Sequence, residues 1–186
     1  ISNVTAKANG GIMVTGFREP EGYIRSLNLE NVRIHMYGGK HKAPELNVNP
    51  PDPYPIYGFH GAPYAMYLRF VKELTLRNVH FTWNTPEEPD WGSALRCVSV
   101  DDLVIDGFSG RQALPSQEAA IRLCNVQRAF IHGCRAPSDT GTFLAFEEGT
   151  SDVTMLGNDF SQAREVYSVS EGTYTQVFTE GNRPPD

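Results

Sequence analysis

The stretch LTLRNVHF (74–81) has a near-copy, LNLENVRI (27–34), with Asn-Val at the same place in both. Their starts, residues 27 and 74, are too far apart for a hairpin and suit a repeat that carries an insertion. Three further versions follow: LVIDGFSG (103–110), AFIHGCRA (129–136) and VTMLGNDF (153–160). The shared pattern is apolar-x-apolar-x-Asn/Gly-x, and the later starts at 74, 103, 129 and 153 are 29, 26 and 24 residues apart. Such self-similarity decides the architecture before any local propensity does.

A second phrase precedes each later copy: AMYLRFV (65–71), ALRCVSV (94–100), AIRLCNV (120–126) and FLAFEEG (143–149). Aligned, Met66, Leu95, Ile121 and Leu144 form one column, and Leu68, Cys97, Leu123 and Phe146 a second. The columns lie two residues apart, so they share one face of a strand. Tyr67, Arg96, Arg122 and Ala145 fall between them, on the opposite, outward face.

The Asn/Gly slot holds Asn31, Asn78, Gly107, Gly133 and Gly157. A strand bending sharply into the next needs a residue in the left-handed region. Gly enters it freely and Asn more readily than other residues. The phrases alternate with period 2 and are interrupted by Gly, Asn and Pro, which leaves no helical alternative. Leucine-rich repeats share the period but require a strand-plus-helix unit that is missing here. The expected fold is all-β, a single-stranded parallel β-helix or solenoid of about five to six rungs over residues 1–161. Residues 162–186 lose the repeat and are expected to form a cap or tail.

One segment breaks the regularity, MYGGKHKAPELNVNPPDPYPIYGFHGAPY (36–64). Its prolines and glycines exclude regular structure, and long loops on solenoids commonly carry function. It brings together Lys40, His41, Tyr57 and His60. Two roles suit it: a proline-stiffened cover over the solenoid's flank, or one wall of a sugar cleft. In the second, rings stack on sugar faces while Lys and His meet carboxylates. A shorter insertion, WNTPEEPDWGS (83–93), adds Trp83 and Trp91 as apolar cover for a turn.

The 186 residues are 40% apolar and 20% charged, with a net charge of −6. This balance argues against a nucleic-acid partner, since phosphate contacts need a basic surface. No apolar run is long enough to span a membrane as a helix. Cys97, Cys124 and Cys134 match no zinc spacing, and read as buried thiols or at most one disulfide. The histidines show no metal-ligand spacing, so no cofactor is expected.

Glycoside hydrolysis needs two carboxyl groups across a cleft. The adjacent acid pairs are Glu87-Glu88, Asp101-Asp102 and Glu147-Glu148, and none sits where chemistry requires it. The surviving feature is the outward column of Tyr67, Arg96 and Arg122, with Arg69 two residues from Tyr67. Neighbouring strands are about 4.8 Å apart, so Arg96 and Arg122 stand side by side. Either acidic residues from turns neutralise them, or they share an anionic ligand such as a uronate.

ISNVTAKANGGIMVTGF (1–17), PPDPYPIYGFHGAPYAMYLRFVKELTLRNVHF (50–81) and SALRCVSVDDLVIDGF (93–108) resemble the C-terminal part of family 28 glycoside hydrolases. These are the polygalacturonases and rhamnogalacturonan-acting enzymes, and the resemblance covers about residues 1–160. It implies a right-handed parallel β-helix, a secreted or periplasmic location, and hydrolysis of acidic plant polysaccharide of the pectin type. The family's Asn-Thr-Asp, Asp-Asp, Gly-His-Gly and Arg-Ile-Lys signatures are missing here, so no catalytic residue carries over. The resemblance therefore implies a C-terminal portion that supplies cleft wall and cap, following rungs that hold the catalytic aspartates. Two other readings stand beside it: a stand-alone short β-helix for polysaccharide binding or assembly, and an enzyme using Asp101 or Asp102. A solenoid without its first rungs exposes apolar ends, so upstream rungs or self-association are the expected protein partners.

Overall fold

The computed structural model describes residues 1–18, 22–37, 62–84 and 91–185. Lys40, His41, Tyr57, His60 and Glu87-Glu88 lie outside the described residues. Among the described residues ten strands follow one another: β1 Ser2–Ala8, β2 Ile12–Thr15, β3 Ile24–Met36, β4 Met66–Trp83, β5 Leu95–Asp106, β6 Ile121–His132, β7 Thr140–Phe146, β8 Ser151–Leu156, β9 Ala163–Val169 and β10 Val177–Glu180. All the pairings between them are parallel. The fold is all-β, with the parallel, in-register pairing expected of a solenoid.

The register is the one that the repeated phrases specify. Met66 pairs with Leu95, Leu95 with Ile121 and Ile121 with Leu144, while Leu68, Cys97, Leu123 and Phe146 make the second column. Leu27, Leu74, Leu103, Ala129 and Val153 align in the same way. Within residues 162–186, the stretch read as a cap or tail, β9 pairs with β7 and β10 with β8 in parallel.

The corners explain how such long strands close around a core. Asn31, Asn78, Gly107, Gly133 and Gly157 all have positive φ, between 53° and 68°, as the sequence pattern requires. Asn3 and Gly181 extend the same column at either end of the stack. Asn side chains bridge successive layers here: Asn78 Nδ2 donates to Asn31 Oδ1 at 2.7 Å, and Asn31 Nδ2 to Asn3 Oδ1 at 3.0 Å.

Each bend also shifts the inward parity by one residue. In β3, Leu29 is buried before Asn31, and Val32, Ile34 and Met36 after it. In β4, Leu74 and Leu76 precede Asn78, and Val79 and Phe81 follow it. Side chains alternate along a strand, so a strand that turned without this shift would send its next apolar set outward. A second bend column performs the same shift at Phe70, Ser99 and Asn125, with φ of 57°, 55° and 51°. For a residue as bulky as Phe70 this is an uncommon backbone state.

The interior is filled by the apolar ladders. An aromatic stack runs through it, Phe81 to Phe108 at 6.1 Å, Phe108 to Phe143 at 6.4 Å and Phe143 to Phe160 at 5.1 Å between ring centroids. Each fully buried side chain of this kind stabilises the fold by about 1.5–3 kcal/mol. Trp83 and Trp91 join this core with their rings 6.0 Å apart. Cys97 and Cys134 are buried, Cys124 is half-buried, and all three are free thiols.

Candidate functional site

The outward column sits where the register requires it: Tyr67 pairs with Arg96, and Arg96 with Arg122. It is not an open surface, however. Tyr67 is 2% exposed, Arg69 5% and Arg96 7%, and only Arg122 is half-open. The cover is local. Tyr64 stacks on Tyr67 with ring centroids 5.9 Å apart, and β2 runs beside β4, setting Met13 against Tyr67 and Thr15 against Arg69. Tyr64 belongs to the segment expected as loop, which is why the alternation pattern could not reveal the burial.

Burial of two guanidinium groups on adjacent strands demands compensation. Arg96 Nη2 lies 3.2 Å from Glu147 Oε2, and Arg96 Nη1 donates to the Tyr64 hydroxyl at 2.6 Å. Arg122 donates from Nε to the other oxygen of Glu147, and from Nη1 to Glu118 Oε1 at 2.7 Å. Two arginines thus meet two carboxylates. Burial works against the Arg122 charge, yet Glu118 and Glu147 together hold its pKa above the ordinary value. Burial likewise raises the Tyr64 and Tyr67 phenols, more than the neighbouring arginines lower them, so both remain neutral hydroxyls at physiological pH.

Arg69 lies in a different setting. Its Nε donates to Thr15 Oγ1 at 3.1 Å, and its guanidinium lies 4.9 Å from the Phe70 ring centre and 5.9 Å from that of Tyr67. It faces a groove of ≈ 510 Å³ that Arg18, Tyr23, Tyr67, Arg96, Ser99 and Asn125 help to line. Guanidinium groups beside aromatic faces, with amide and hydroxyl groups at the rim, can bind an anionic, ring-shaped ligand. Two strained-side bend residues, Phe70 and Ser99, also face this groove.

The carboxylate pairs behave differently from one another. Asp102 receives two hydrogen bonds from Arg128, at 2.6 and 3.1 Å, on an exposed part of the surface. That hydrogen bonding holds its carboxyl below the ordinary range, which suits a fixed anion and not a proton donor. Glu147, half of an acid pair with no role legible from its position in the chain, is the hub of the arginine network. Glu118 lies outside the repeated phrases and the acid pairs. Its four-residue spacing from Arg122 is a helical signal, and here it spans a loop and the start of a strand. Among the described residues, no group of three or more His, Cys, Asp or Glu side chains could hold a metal ion.

No family model, curated protein or solved structure matches the chain.

Proposed function

We propose that the chain is a right-handed parallel β-helix belonging to a pectin-degrading hydrolase, in which it supplies the wall of an acidic-sugar cleft and no catalytic carboxylate. The observation that carries this reading is the groove beside Arg69, where guanidinium groups and aromatic rings lie on the outward face of parallel strands. A uronate offers a carboxylate to Arg18 at the open rim and an apolar ring face to Tyr23. The resemblance of residues 1–160 to family 28 glycoside hydrolases points to the same ligand class. Arg96 lines this groove with its charge already met by Glu147, and Arg122, on the next strand, is held by Glu147 and Glu118.

Calorimetric titration with oligogalacturonides, set against neutral oligosaccharides of equal length, tests the reading. Binding is expected for the acidic series alone, weakened by Arg18→Ala and Tyr23→Ala and accompanied by no new reducing ends. Absence of heat at millimolar oligogalacturonide, with the chain folded, rejects the cleft. Turnover abolished by Asp101→Asn would instead make this chain catalytic.

A further inference from the structure

A second groove, of ≈ 670 Å³, crosses β1, β3 and β4 after the Asn78 bend, whereas the Arg69 groove opens before the Phe70 bend. Two rows of outward side chains line it. Thr5, Arg33 and His80 are register partners in one, and Lys7, His35 and Thr82 in the other. The remaining lining residues are Ala6 and Ile34, so among the described residues no acidic side chain lines the groove. Neither Lys7 nor Arg33 forms an ion pair among the described residues. Strand and residue spacings put the four basic groups in a patch of roughly 10 by 7 Å. In a chain with net charge −6, this is a local reversal of sign.

The ring nitrogens are set by their neighbours. Asn78 uses its Nδ2 on Asn31, so its Oδ1 accepts from His80 Nε2 at 2.5 Å. The Asn ladder therefore fixes His80 with its proton on Nε2 and its lone pair on Nδ1. His35 Nδ1 lies 2.9 Å from Thr82 Oγ1, and when that hydroxyl donates, His35 Nε2 carries the N–H. Partial burial and then the charge of Arg33 hold His80 below its ordinary pKa, as expected of a cation cluster without its counter-ion.

We infer that this groove binds a doubly charged tetrahedral oxyanion, phosphate or sulfate, between Lys7, Arg33, His35 and His80. Two full cations match two negative charges. The donors are spread over two rows and three strands and not held in one plane, which suits a tetrahedral anion better than a planar carboxylate. A sulfate oxygen can meet His80 Nδ1 only when that nitrogen is protonated, so sulfate binding draws a proton onto the ring, whereas hydrogen phosphate can instead donate its own O–H to the Nδ1 lone pair. The groups facing His80 are Arg33 on β3, Asn78 on its own strand and Ser109, which bridges it on the other side.

The test is a titration of the folded chain with sodium sulfate and with phosphate at low ionic strength, followed through the imidazole resonances of His35 and His80. Saturable shifts of both rings are expected, with sulfate binding tightening as pH falls through the histidine range. Sulfate serves for the pH series because it keeps both charges, and comparison with phosphate at pH 8 shows which anion is preferred. Arg33→Ala and Lys7→Ala, both at exposed positions, are each expected to weaken binding about tenfold or more. Arg18→Ala should leave it unchanged. Unmoved rings, or binding indifferent to both groove variants, would overturn the proposal. So would rings that respond to oligogalacturonide and not to sulfate or phosphate. Because the Arg69 groove lies across two bends, failure here leaves the acidic-sugar reading standing, and the reverse holds.

Discussion

Arg96 Nη2 lies 3.2 Å from Glu147 Oε2, with the two side chains only 8% and 15% exposed. The same carboxylate serves Arg122 from the next strand, so its loss leaves Arg96 without this partner and Arg122 with Glu118 alone. Glu147→Ala is expected to cost about 3–5 kcal/mol in chemical denaturation, because two largely buried guanidinium groups lose the carboxylate they share. Adding Arg96→Met to that variant should restore part of the loss. A Glu147→Ala protein as stable as the parent would show that the network is solvated.

Backbone strain can be separated from packing at one corner. Gly157 has φ +59°, and a Cβ built there meets nothing within 4 Å. Gly157→Ala should therefore lose about 1–2 kcal/mol from the dihedral alone. Gly157→Asn should lose clearly less, as Asn does at positions 31 and 78. Equal losses for the two variants, read from denaturation midpoints, would refute this account of the Asn/Gly slot.

Stability should depend on pH through His80. Its folded pKa lies below the usual 6.5, so the unfolded ring takes up its proton first as pH falls. Across the window from about 6.5 down to the folded value, the unfolded state binds more protons and stability declines. His80→Gln should flatten this part of the stability profile, measured without sulfate or phosphate. An unchanged slope would mean that other groups set it.

The thiols should react in a fixed order. Burial pushes Cys134 up to about 12 and Cys97 higher still, while Cys124 is only half-buried and its pKa is raised chiefly by desolvation. Thiol-specific labelling of the native protein should reach Cys124 first and slowly, and Cys97 and Cys134 only on unfolding. Fast native labelling of Cys97 would contradict its place in the core.

The scaffold was legible because its information is periodic. Leu74, Leu103 and Ala129 recur at nearly constant intervals, and their register follows from aligning the phrases. The first bend column was legible because Asn and Gly are the residues that tolerate the left-handed region. The second was not, since Phe70 and Ser99 carry no such mark and take the left-handed region all the same. The site was only half visible. Tyr67, Arg69, Arg96 and Arg122 could be placed on one face, but Glu118, Glu147 and Tyr64 reach them from other turns. No spacing rule connects residues whose partnership exists only after folding.

A corner made from one dihedral and not from a loop has consequences for inheritance. A deletion of one residue between Leu74 and Val79 would act as a frameshift in burial, turning the apolar side chains that follow toward water. Gain or loss of a whole period, such as the 24 residues from 129 to 153, would pass almost unnoticed by the layers on either side. Such a chain can change length by duplication in units of one layer, while single-residue insertions and deletions are confined to the segments between phrases.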